Sequence, residues 1–74
     1  MLEQLQDIIY DYLGDDSFEI YPETEIAEIG ISSLDLVSIV GDIEDIYNIT
    51  IEDRDVPNIK TIQDLMDCIE RHIA

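Results

Sequence analysis

From Ser33 to Tyr47 the apolar residues recur at the helical period, and this stretch constrains the fold more than any other. At about 100° per residue, Leu36, Val37, Ile39, Val40, Ile43, Ile46 and Tyr47 gather on one broad face, while Asp35, Ser38, Gly41, Asp42 and Asp45 gather opposite. Ser32 suits the N-cap, because its hydroxyl accepts from an otherwise orphaned amide, and Asp35 stands three places on, where an acid favours the helix start. Ser33 is then a first-turn residue. Leu34 falls among the acids, so the pattern predicts a partly exposed leucine ringed by negative charge, an arrangement suited to docking. Gly41 makes either a shallow hollow for a partner or a weak spot costing about 1 kcal/mol relative to alanine.

The remaining segments supply what such a helix packs against. Leu2, Leu5, Ile8, Ile9, Tyr12 and Leu13 form a helical stripe that Gly14 stops, with Tyr10 on the exposed side. Residues 15–31 lack a sustained period and contain Pro22, which predicts a long loop pinned by Ile20, Ile26 and Ile29, with Phe18 free to lie either in or out. Gly30 lets the backbone adopt a conformation closed to other residues, or lets a partner approach closely. Residues 53–58 fit a single helical turn with Val56 and Ile59 inward. Thr61, with Asp64 three on, caps a last helix whose stripe is Ile62, Leu65, Met66, Ile69 and Ile73. The expected fold is all-α, a small bundle of three main helices and one short one, with a long loop between helices one and two.

Length and charge narrow the functions available. A chain of 74 residues holds one domain, spanning 1–74, and buries only about 60–65% of its unfolded surface. Its 46% hydrophobic content is too high for a disordered chain. Nineteen acids against three basic residues give a formal charge of -16, which argues against nucleic acid and anionic membranes as partners, favours basic protein surfaces, and opposes self-association. The same repulsion predicts that salt raises stability. Neither a signal-type segment nor a membrane-length run is seen, so a cytoplasmic monomer is expected.

Intrinsic catalysis is not expected. His72 is the only histidine and lies near the chain end, Cys68 sits about 120° from the centre of the last stripe as a small flank residue, and the Ser32–Ser33 pair has no histidine within reach for a triad. No EF-hand or zinc spacing is present, so no dedicated metal site is expected.

The segment Ile29-Gly30-Ile31-Ser32-Ser33-Leu34 resembles the Leu-Gly-x-Asp-Ser-Leu motif of acyl carrier proteins. The similarity runs without a gap through the acidic helix, Tyr47, Ile51 and Thr61-Ile62, which is nearly the whole chain. It implies that Ser33, followed by Leu34, carries 4′-phosphopantetheine taken from coenzyme A by a phosphopantetheinyl transferase. The arm's thiol would then hold acyl groups as thioesters and pass them between enzymes of fatty acid or related, polyketide-like biosynthesis. Docking of partners with basic surfaces would fall to Leu34, Asp35, Ser38, Gly41, Asp42 and Asp45. Ser32 stands where the family has aspartate, at the place where the transferase and its metal engage, and Ser38 replaces a frequent glutamate. Other readings are an aminoacyl or peptidyl carrier, and an unmodified acidic interaction module of the same fold.

Overall fold

The computed structural model describes residues 1–73, which form a body of 32 × 21 × 20 Å. Three helices, α1 (Leu2–Leu13), α2 (Ser33–Tyr47) and α3 (Ile62–Ile73), are joined by two connections that each contain a 3₁₀ turn, Ile26–Ile29 and Asp53–Asn58. The all-α expectation holds, with one addition: the long loop carries its own short turn.

Each helix ends for a local reason. Gly14 closes α1 at φ 68° and its amide donates to the Tyr10 carbonyl; Asn48 closes α2 at φ 55° with its amide on the Glu44 carbonyl. Both use left-handed backbone, open to glycine at no cost and to asparagine at little. At the start of α3 the capping box expected of Thr61 and Asp64 forms, with Asp64 N–H donating to Thr61 Oγ1 at 3.1 Å and Thr61 N–H to Asp64 Oδ2 at 3.1 Å.

The core is aliphatic. Leu5 and Ile9 of α1, Ile39 and Ile43 of α2, and Ile62, Leu65 and Ile69 of α3 are sealed from solvent, and Ile20 and Ile26 pin the long loop onto them. Main-chain bonds fix the same loop to the start of α3: Ile26 N–H donates to the Lys60 carbonyl at 2.9 Å and Ile62 N–H to the Thr24 carbonyl at 3.0 Å. The loop is therefore an ordered wall of the bundle.

Several sequence expectations fail at the edges of helical stripes. Tyr10, expected to face solvent, is half-buried: its ring meets Phe18 edge-on at 5.5 Å and its hydroxyl donates to the Phe18 carbonyl at 2.7 Å. Tyr12, expected inside, is 40% exposed. The loop folds back over the side of α1 that a lone helix would show to water. On α2 and α3, Val37, Ile46 and Ile73 are at least half exposed, because the apolar arc is wider than the neighbouring elements cover. Cys68, placed on a flank by its angle, has no exposure at all and belongs to the buried core. His72, expected to be solvated, is half-buried and its Nδ1–H donates to the Cys68 carbonyl at 2.7 Å.

Candidate functional site

The N-terminus of α2 is held by a small polar network. Ser32 is the N-cap (φ -76°, ψ 173°), and its Oγ accepts from Asp35 N–H at 3.2 Å while Ser32 N–H donates to Asp35 Oδ2 at 3.0 Å. The Ser32 hydroxyl also donates to Asp35 Oδ2 at 2.8 Å, and Tyr12 Oη–H donates to Asp35 Oδ1 at 2.7 Å. The Asp35 carboxylate thus ties α1 to the start of α2. The Tyr12 hydroxyl, then Ser32, hold its pKa below the ordinary carboxylate value, and the same bond raises that of Tyr12. Hydrogen bonds to the charged form are the cause, since they favour ionisation of the acceptor and disfavour that of the donor.

This network separates the two serines. The Ser32 hydroxyl is engaged in both directions, whereas the exposed Ser33 hydroxyl has no partner among the described residues. Ser33 sits at the first helical position, where the backbone amides of the first turn lack intrahelical partners and the helix dipole is positive.

Beside Ser33 opens a hollow of about 530 Å³. Its walls are Ile26, Ala27 and Ile31 from the loop, Leu36 and Val37 from α2, and Val56, Pro57 and Ile59 from the second connection; Ser32, Ser33, Asp53 and Lys60 supply polar groups. Of Val40, Ile43, Ile59 and Ile62, Ile59 alone lines this hollow, and the other three are packed into the core. The half-exposure of Val37 belongs to this wall.

The six docking candidates fall into two groups. Leu34, 82% exposed, stands next to Ser33 at the helix entrance, with Asp35 half-buried in the network just described and Ser38 exposed one turn on. Asp42 and Asp45 instead line a second, shallower hollow between α1 and α2 with Ile8, Asp11, Tyr12 and Ile46. Gly41 has open space on its outer side. Sequence reasoning missed Lys60 as a site residue, and only its place before the Thr61 cap offered a clue.

The donor set fits a phosphopantetheine arm: a free hydroxyl at a helix N-terminus, an adjoining apolar hollow long enough to involve three segments, and one cationic side chain at that hollow. Among the described residues no group of three or more His, Cys, Asp or Glu forms a metal cluster, and no helix is long and apolar enough to cross a membrane.

Comparison with known proteins agrees. Residues 3–69 match the family model described as phosphopantetheine attachment site. Acyl carrier proteins of three Lactococcus lactis strains, MG1363, SK11 and IL1403, are each 36% identical over 72 residues, covering 97% of this chain and 96% of theirs. The crystal structure of an acyl carrier protein from Thermotoga maritima superposes with a TM-score of 0.89 at 25% identity, covering 97% of this chain and 85% of that one.

Proposed function

The chain belongs to the acyl carrier protein family, and from that premise we propose that Ser33 is its attachment residue and that it shuttles acyl groups between enzymes of fatty acid or related, polyketide-like biosynthesis. The bound 4′-phosphopantetheine supplies a thiol on which acyl groups ride as thioesters. The observation that carries the assignment is the difference between two adjacent hydroxyls: Ser32 Oγ is locked into the cap, while Ser33 Oγ is exposed and without a partner among the described residues.

On this reading the chain's own residues present and steer. Asp35, through Ser32 and Tyr12, fixes the first turn so that Ser33 meets the transferase in one orientation. The helix N-terminus stabilises the phosphate once it is attached. Leu34 offers an apolar anchor, and Asp42 and Asp45 raise encounter rates with basic partner surfaces. The partners are a phosphopantetheinyl transferase and acyl-transferring and acyl-modifying enzymes. The protein itself is a cytoplasmic, monomeric, single-domain carrier over residues 1–74 that catalyses no step.

Intact mass spectrometry after incubation with coenzyme A, a magnesium salt and a broad-specificity transferase tests this, with Ser33→Ala and Ser32→Ala in parallel. One arm is expected on the wild type and on Ser32→Ala, and none on Ser33→Ala. Retained loading of Ser33→Ala overturns the assignment. A folded wild type that takes no arm moves the weight to the unmodified interaction module.

A further inference from the structure

The chain has three basic side chains, and they are deployed differently. Arg54 pairs with Glu52 at 2.5 Å. Arg71 lines a separate hollow on α3 with Asp55, Asp64 and Asp67. Lys60 alone lines the hollow that Ser33 also lines, and it has no ion pair among the described residues.

Its backbone is fixed there from two sides. Lys60 N–H donates to Asp64 Oδ2 at 3.0 Å, and its carbonyl accepts from Ile26 N–H at 2.9 Å. Neither bond uses the side chain. An exposed ammonium thus stands on a pinned main chain at the hollow beside the proposed attachment serine, in a molecule whose formal charge is -16.

We propose that Lys60 is a positioning residue for the arm, its ammonium pairing with the phosphodiester on Ser33 and drawing the arm over the hollow toward Val37 and Ile59. The inference rests on the attachment reading above. The phosphodiester brings one more negative charge to a surface that already repels it, and among the described residues lining that hollow Lys60 is the countercharge. Pairing there is a point-charge contact, for which arginine is an adequate substitute in charge and glutamine in length only. With the phosphate drawn inward, the apolar part of the arm faces Ile31, Val37, Val56 and Ile59, whose surface it covers.

The test uses holo-protein whose single arm and attachment site are first established by mass spectrometry, so that failure of the attachment reading is seen separately. Holo wild type, Lys60→Arg, Lys60→Gln and Lys60→Glu are then compared by ³¹P NMR and by nuclear Overhauser contacts between the arm's methyl groups and Val37 and Ile59. In the wild type those contacts and a perturbed ³¹P resonance are expected, and both are expected to weaken toward 1 M salt, where the screening length falls to about 3 Å. Lys60→Arg retains them. Lys60→Gln loses most of the contact intensity, and Lys60→Glu loses all of it. Circular dichroism of each apo-protein confirms that the fold is kept. Superposable ³¹P and arm spectra in wild type and Lys60→Gln overturn the proposal, as does a salt-insensitive wild type.

Discussion

Replacing Gly41 by alanine should stabilise this protein, and the structure supplies the magnitude. Gly41 lies in the interior of the fifteen-residue α2, its backbone is ordinary right-handed helix, and a Cβ built on it meets nothing within 4 Å. The substitution therefore carries no steric term. What remains is the propensity difference and the lower entropy of the unfolded chain, together about 0.5–1 kcal/mol in favour of alanine. For a domain of this size each kcal/mol moves the melting temperature by roughly 4–8 °C, so an increase of about 2–8 °C is expected by circular dichroism. Gly14→Ala and Gly30→Ala are the controls. Their Cβ positions are just as open, but φ is +68° and +82°, so each should lose about 1 kcal/mol or more from left-handed strain. A Gly41→Ala melting point at or below the wild type, or three variants that shift alike, would refute the reasoning. If Gly41→Ala is more stable yet slower in acyl transfer to a partner enzyme, the glycine is there as a hollow for that partner.

The carboxylates of Asp35 and Asp64 are both held below the ordinary aspartate value of 3.8, Asp35 chiefly by Tyr12 and Asp64 chiefly by the Lys60 amide. A depressed native pKa contributes stability that is present above the unfolded value and lost as pH falls through the native one. The stability gap between wild type and Asp64→Asn in thermal melts should therefore be full near neutrality and close below about pH 3.8; a gap independent of pH would remove Asp64 as a charged cap. Cys68 is sealed in the core, and burial pushes its thiol pKa up. Ellman's reagent should leave the folded protein unmodified and label it stoichiometrically in denaturant, and rapid labelling of the native protein would contradict the burial of Cys68 in the core.

How far the sequence could be read depended on whether a residue's fate was set within its own helix. Ser32 and Asp35 form their capping box from residues three apart, and Thr61 and Asp64 do the same; such contacts are written in local spacing. Gly14 as a stop, the bounds of α2, and the exposure of Leu34 follow from the same local rules. The family resemblance was legible as well, since the run that carries it is contiguous at a helix entrance, and the comparisons place the chain in that family.

Residues whose surroundings come from elsewhere in the chain were not legible. Angular position on a helix says how far a side chain points from the core axis but not which irregular segment will lie over it. Phe18 reaches back to cover Tyr10 across a separation that no helical period encodes, and Cys68 is sealed although its angle puts it on a flank. The hollow beside Ser33 is built from the loop, from α2 and from the second connection, so Pro57 and Lys60 become its neighbours only after the chain has folded. Sequence alone thus determined the helices, their caps and the serine at the head of α2, because those depend on bonds a few residues long. The tertiary structure decided what lies beside that serine, because Tyr12 and the hollow's walls reach that point from distant parts of the chain.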